Sequence, residues 1–184
     1  MLTALIDYES GNLHSALKAF EKMAAELGAG EVVVTSDPDV VARADRLVLP
    51  GDGAFPACRD ALINSAIYDA LCDAVEQKAR PFMGICVGMQ LMAKEGHEYQ
   101  HTPGLGWIDG AVHKIAPTDP TLKIPHMGWN NLVIDHPHPI FKGIETGDHA
   151  YFVHSYQMQV ETPDQRIAHV DYAGDVTAVV ARDT

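Results

Sequence analysis

Pro81-Phe82-Met83-Gly84-Ile85-Cys86-Val87-Gly88-Met89-Gln90 is an apolar run of strand character that hands over directly to a helical pattern. The pattern predicts a strand over Pro81 to Ile85 and a helix over Val87 to Glu95, closed by Gly96. A strand that enters a helix without a loop must turn sharply, and Cys86 stands at the apex of Gly84-Ile85-Cys86-Val87-Gly88. This is the nucleophile-elbow arrangement, with cysteine where hydrolases place serine. Small residues flank the apex because neighbouring backbone comes close there. The turn exposes the sulfur at the carboxyl end of the sheet, where open α/β sheets bind ligands. It also sets the sulfur at a helix N-terminus, which favours thiolate. A free cysteine is also commonly a buried core residue, and the pentapeptide alone leaves both readings open. Cys58 and Cys72 lie on helical patterns and read as core.

Upstream of this stretch, strand-like and helix-like runs alternate. Leu2 to Ile6 reads as a strand. Leu13, Ala16, Leu17, Phe20, Ala24 and Leu27 recur at helical spacing, with Asn12 as N-cap and Gly28 just past the end. Val32 to Thr35 and Arg46 to Leu49 read as strands, with a short helix opened by Asp37-Pro38 between them. Another helix places Tyr68, Leu71, Cys72, Val75 and Ala79 on one face. Alternation of this kind predicts an α/β fold of three layers, with a mostly parallel central sheet and helices on both faces. From residue 104 the pattern becomes β-rich, with strands expected over Trp107 to Ile115, Leu132 to Ile134, Phe152 to Val160, Arg166 to Tyr172 and Val176 to Ala181. With no repeat and no linker, 1–184 is expected to be a single domain.

The chain of 184 residues is long enough to bury a substantial core. Its net charge of −12 argues against a nucleic-acid partner, since phosphate backbones attract basic surfaces. No apolar run approaches the roughly 18 residues that span a membrane. Three cysteines without a C-x-x-C pair suit a reducing cytoplasm better than a disulfide framework or a metal site.

Leu49-Pro50-Gly51-Asp52-Gly53-Ala54-Phe55 also closes a strand. Its glycines allow backbone N–H groups to turn toward a ligand, as acyl transfer needs at an oxyanion. Taken alone it reads equally as an ordinary glycine-rich turn.

Taken together, these segments resemble the class I glutamine amidotransferases, and within them the glutaminase subunits of imidazole glycerol phosphate synthases. Asp7-Tyr8-Glu9-Ser10-Gly11-Asn12-Leu13 followed by Ser15 is similar to the opening motif of that branch. Leu49 to Phe55 resembles its oxyanion segment, and Gly84 to Gln90 its nucleophile segment. Pro103 to Ile108, Pro125-His126-Met127-Gly128-Trp129-Asn130 and Tyr151-Phe152-Val153-His154-Ser155-Tyr156 are similar to three further segments in the same order.

The resemblance implies a glutaminase with Cys86 as catalytic nucleophile, forming a thioester with the glutamine amide carbon. It implies an oxyanion hole of the Val87 N–H with backbone of Gly51, Asp52 and Gly53. Asp52 departs from the family, where an aliphatic residue is usual. Gln90 and the backbone of His154, Ser155 and Tyr156 would hold the amino-acid group of glutamine. Asn12, Met127, Trp129 and Asn130 would face a (βα)8-barrel cyclase subunit, which takes the ammonia through a tunnel to make imidazole glycerol phosphate in histidine biosynthesis. No cofactor and no metal is implied, and the expected location is cytoplasmic. The family's thiol is activated by a histidine in a His-Pro-Glu motif, which these 184 residues do not contain. The chain stops at Arg182-Asp183-Thr184, and a C-terminally incomplete copy is the expectation. A module that docks the cyclase without making ammonia, and an amidotransferase of another pathway, are the alternatives.

His97-Glu98-Tyr99-Gln100-His101 matches the zinc-protease pattern H-E-x-x-H, which needs a continuous helix. Gly96 before it and Pro103-Gly104 after it leave little room for one, so a solvated loop is expected. Trp129 reads equally as a core residue, and Asp7 as structural or near the site.

Overall fold

The computed structural model describes residues 1–182, in two compact units that divide after Leu91. In the first unit, strands β1 (Leu2–Ile6), β2 (Glu31–Thr35), β3 (Arg46–Gly51) and β4 (Phe82–Cys86) form one parallel sheet in the order β2-β1-β3-β4. Between them run helices α1 (Leu13–Leu27), α2 (Pro38–Arg43), α3 (Phe55–Ile63) and α4 (Tyr68–Cys72), and α5 (Val87–Gln90) follows β4.

The strand order fixes where the helices go. Passing from β1 to β2 moves one way across the sheet, and passing from β2 to β3 to β4 moves the other way. Right-handed crossovers therefore put α1 on one face and α2, α3 and α4 on the opposite face. The packing of α2 against α4 agrees with this. Ala4, Leu5 and Ile6 are consecutive and all fully buried, as are Leu47, Val48 and Leu49. Consecutive burial means that both faces of the inner strands are covered. The direction reverses between β1 and β3, so the loops after these strands open at the switch point where such sheets bind ligands.

Local chemistry explains most of the element boundaries. The Asn12 side chain accepts the Ser15 N–H at the start of α1, and Gly28 adopts a left-handed conformation at its end. Asp37 caps α2 through the Asp39 N–H, with Pro38 at the first position. The helix expected to carry Tyr68 through Ala79 on one face is interrupted. After Cys72 it continues only as a π-helical turn, Asp73–Gln77, and Ala79 has a φ of 51°, outside any helix.

The second unit holds three sheets. Strands β5 (Ala93–Gly96), β6 (Thr102–Pro103), β7 (Ile108–Lys114) and β11 (Tyr156–Val160) are ordered β11-β7-β5-β6. Strands β8 (His126–Asn131) and β10 (His149–His154) form an antiparallel ribbon. Strands β9 (Val133–Ile134), β12 (Arg166–Asp171) and β13 (Asp175–Val180) are ordered β13-β12-β9. Ile115, Val170 and Val176 form one buried cluster, with Leu132, Phe152 and Tyr172 packed against it, and Phe141, Ile167 and Ala168 form another.

Two expectations are corrected here. The helix predicted over Val87 to Glu95 stops at Gln90, and Ala93–Gly96 is a strand parallel to β7 and antiparallel to β6. Gly96 is thus a paired strand residue, opposite Thr102 and Val112, and not a helix cap. The expected strand Phe152 to Val160 is two strands parted at Ser155, because β10 pairs with β8 and β11 with β7. The Ser155 carbonyl accepts the Ile115 N–H at this change of partner. No described helix is long and apolar enough to cross a membrane.

Candidate active site

Cys86 is the last residue of β4 and lies opposite Gly51 of β3 in register. Its φ of 56° and ψ of −117° place it at a sharp elbow between β4 and α5. Such a conformation costs a non-glycine residue about 1–3 kcal/mol and persists only where the surroundings enforce it. The enforcement is close packing of backbone. A side chain at Gly88 would overlap the Leu49 carbonyl oxygen of β3. A side chain at Gly84 would put its Cβ 2.5 Å from the Gly88 oxygen and the Met89 nitrogen. Glycine at both positions lets α5 turn back across β3 and β4. Cys86 is solvent-exposed, Val87 is buried beneath it, and Cys58 is a buried residue of α3.

The Gly51–Gly53 bend is held by the loop after β1. The Ser10 hydroxyl accepts the Asp52 N–H at 3.2 Å and donates to the Asp52 carbonyl at 2.9 Å. The Cys58 thiol donates to the same carbonyl at 3.3 Å. A Cβ on Gly11 would lie 2.9 Å from Pro50, so the two loops are pressed together. Of the expected oxyanion donors, the Val87 N–H faces the sulfur, whereas the Asp52 N–H is turned to Ser10. Ser10 and Cys58 were not singled out by sequence reasoning as supports of this bend. The only sequence signal for either is the place of Ser10 in the opening motif.

The Val87 N–H at the helix start favours thiolate, as expected, but it is outweighed. Although the residue as a whole is exposed, the protein atoms gathered around its sulfur push the Cys86 thiol up, the Val87 N–H pulls it down, and Asp52 and Cys58 push it up again. Desolvation outweighs the single Val87 N–H, and the Asp52 carboxylate disfavours a second negative charge beside it. Iodoacetamide alkylation of Cys86 in the isolated chain is therefore expected to reach half its limiting rate above about pH 8.5, the value of an unperturbed cysteine. A midpoint below that, followed by peptide mass mapping, would contradict this description of the site.

Gln90, the last residue of α5, is buried in the same unit. His154, Ser155 and Tyr156 lie in the second unit, at the junction of β10 and β11. There the His154 Nδ1 lies 3.0 Å from the Tyr156 carbonyl oxygen. Of the expected partner-facing residues, Asn12 is occupied as the α1 cap in the first unit. Met127 and Trp129 point outward from β8, 65% and 71% exposed. The core reading of Trp129 is thereby removed. Alternation along the strand sends Asn130 to the other face, where its amide donates to the Asp171 carbonyl at 2.9 Å. Tyr151 and Val153 of β10, not identified from sequence, stand opposite Trp129 and Met127 and are exposed as well. The Tyr151 ring meets Trp129 edge-on at 5.5 Å. Residues 97–101 form no helix, and His97 and His101 both turn to the Glu95 carboxylate, at 2.9 and 2.8 Å.

A parallel sheet with a cysteine elbow beside a glycine-rich bend defines a thiol-dependent acyl-transfer scaffold. The family profile described as glutamine amidotransferase class-I matches residues 4–184, and the chain belongs to that family. It is 70% identical over 185 residues to the imidazole glycerol phosphate synthase subunit HisH of Ruegeria pomeroyi, covering 100% of this chain and 87% of that protein. The protein of the same name from Cereibacter sphaeroides is 63% identical with the same coverage. Among solved structures, a glutamine amidotransferase aligns with a TM-score of 0.67 at 16% identity, over 90% of this chain and 79% of that one. Another glutamine amidotransferase, from Thermotoga maritima, aligns with a TM-score of 0.60 at 12% identity, over 96% of this chain and 69% of that one. These two likenesses bear on the fold alone.

Proposed function

We propose that this chain is the glutamine-hydrolysing subunit of an imidazole glycerol phosphate synthase, with Cys86 as its nucleophile. The observation that carries the reading is the Cys86 elbow, its strained φ enforced by Gly84 and Gly88. The sulfur attacks the side-chain amide carbon of glutamine, and the oxygen takes negative charge. As the C–N bond breaks, the leaving nitrogen takes the proton that the thiol gave up and departs as ammonia, leaving a thioester. Water then cleaves the C–S bond, releasing glutamate and restoring the thiol. The Val87 N–H, which faces the sulfur, is assigned to the developing oxyanion, and the Asp52 N–H joins it only on leaving the Ser10 hydroxyl. On the family resemblance, the amino-acid group of glutamine is assigned to the His154–Tyr156 backbone, and Gln90 is given a role in the same recognition.

The exposed face of the β8–β10 ribbon is assigned to a (βα)8-barrel cyclase subunit, which receives the ammonia and uses it to make imidazole glycerol phosphate. Met127, Trp129, Tyr151 and Val153 form one continuous apolar and aromatic face there. Aromatic anchors of this kind carry most of an interface's energy. Trp129→Ala is expected to weaken cyclase docking by about 30-fold or more, on the order of 2 kcal/mol. Docking of the parent and of the variant is measured by calorimetry; in chains that keep Trp129, the change in tryptophan emission on docking also follows that residue, because Trp107 is only 4% exposed. Docking of unchanged strength in the variant would refute the assignment of this face.

A second reading, a docking module without turnover, is favoured by one observation: burial and Asp52 leave the thiol pushed up. Glutamate release from glutamine, measured on the chain with the cyclase subunit, separates the two. Release that vanishes with Cys86→Ala supports the glutaminase. Docking without release supports the module, and neither docking nor release overturns both.

A further inference from the structure

His126 is a titratable side chain only 3% exposed, and the hydrolysis described above does not use it. Its ring lies between Phe152, at 5.1 Å, and Tyr172, at 4.2 Å. Its hydrogen bonds settle which nitrogen carries each proton. The Tyr156 carbonyl can only accept, so the His154 Nδ1 at 3.0 Å from it must carry hydrogen. In the neutral His154 ring, Nε2 is then an acceptor. It lies 3.1 Å from the His126 Nδ1, which must therefore donate. The His126 Nε2 is left as an acceptor and takes a hydrogen from the Asn130 amide at 3.3 Å. The same amide donates to the Asp171 carbonyl, which fixes its orientation. Both rings are kept neutral: burial lowers His126, with His154 adding to the effect, and burial lowers His154 against the opposing Tyr156 carbonyl. The result is a one-directional chain of donors running from Asn130 through His126 and His154 to Tyr156.

The two ends of this chain lie at places that the proposed function uses. Asn130 and His126 are on β8, whose other face carries Met127 and Trp129. His154 and Tyr156 bracket Ser155 at the strand junction assigned to the amino-acid group of glutamine. We propose that His126 is a positioning residue for glutamine. It holds the His154 ring, and through it the Tyr156 carbonyl, in the orientation that the bound amino acid needs, and it ties that orientation to the strand on which the partner sits. This rests on the glutaminase reading. Without the His126 donor, the His154 Nε2 is unpaired in a desolvated place, and the ring is free to rotate off the Tyr156 carbonyl.

The test measures glutamine affinity by calorimetry in the complex with the cyclase subunit, on a Cys86→Ala background that binds without reacting. His126→Phe keeps the ring stack with Phe152 and Tyr172 and removes both hydrogen bonds. It is expected to weaken glutamine by about tenfold, while cyclase docking, read by Trp129 emission, changes by less than about threefold. His126→Asn offers an amide N–H close to the position of Nδ1–H and is expected to recover most of the affinity. A purely structural role would move docking and thermal stability with glutamine, and would not separate Phe from Asn. Should His126→Phe fail to fold, Asn130→Ala interrupts the same chain and is expected to weaken glutamine about threefold. Unchanged glutamine affinity in whichever variant folds overturns the inference alone. No glutamine binding in the parent complex overturns the glutaminase reading, and this inference with it.

Discussion

Cys86→Ala is expected to reduce glutamine hydrolysis in the cyclase complex by about 10³-fold or more, since removing a covalent nucleophile removes the reaction path and not a contact. The fold should be spared, because the residue is exposed at the apex of its turn and alanine keeps the Cβ. Alanine at a φ of 56° inherits the same strain as cysteine, so the elbow itself is not relaxed. Cys72→Ser serves as the comparison. Cys72 closes α4 in the first unit, half-buried, and should leave turnover within about twofold of the parent while costing no more than about 1–2 kcal/mol in stability. Glutamate release by coupled assay, with thermal denaturation of each variant, reads both. Turnover surviving in Cys86→Ala would remove the nucleophile assignment, whatever the fold resemblance.

Gly88→Ala should be a severely damaging single-methyl change. Gly88 has an ordinary backbone conformation, so the effect comes from space and not from φ. The added carbon would occupy the place of the Leu49 carbonyl oxygen, which is main chain and cannot rotate away. Relief requires α5 to lift from β3, or β3 to shift within the sheet. Overpacking of this kind costs about 1–3 kcal/mol where side chains can yield, and more where only backbone can move. A loss of about 3 kcal/mol or more is expected in urea denaturation, together with loss of turnover even in the fraction that stays folded. Gly28→Ala makes the contrast. Gly28 has a left-handed φ of 61° but nothing within 4 Å of an added Cβ, so only about 1 kcal/mol of backbone strain is at stake. Equal effects at the two positions would contradict the packing account of the elbow.

The contrast between these glycines also shows what could be read without coordinates. The elbow was legible because everything that makes it is local: an apolar strand, a cysteine and two glycines within five residues. The α1 boundaries were legible for the same reason, with Asn12 and Gly28 each acting on the adjacent turn. Strand β8 was not, because Gly128, Asn130 and Asn131 have poor intrinsic preference for strands and are held there by pairing with β10. The misread helix beyond Gln90 has the same origin. Ala93 to Gly96 is compatible with helix in isolation, and pairing with β7 decides the matter. The burial that raises the Cys86 thiol could not be read from motif spacing either, because it is set by the packing around the sulfur. The His126 chain lay furthest from view. Its central bond joins residues 28 apart in sequence, and its direction follows from tautomers that only the surrounding acceptors determine.

The account depends on an acyl group forming at one sulfur. Acid quench of the cyclase complex during glutamine turnover, followed by peptide mass mapping, tests this most directly. A γ-glutamyl group is predicted on the peptide that carries Cys86, absent from the peptides of Cys58 and Cys72 and lost on treatment with hydroxylamine. Glutamate production with the acyl group on another residue would contradict it.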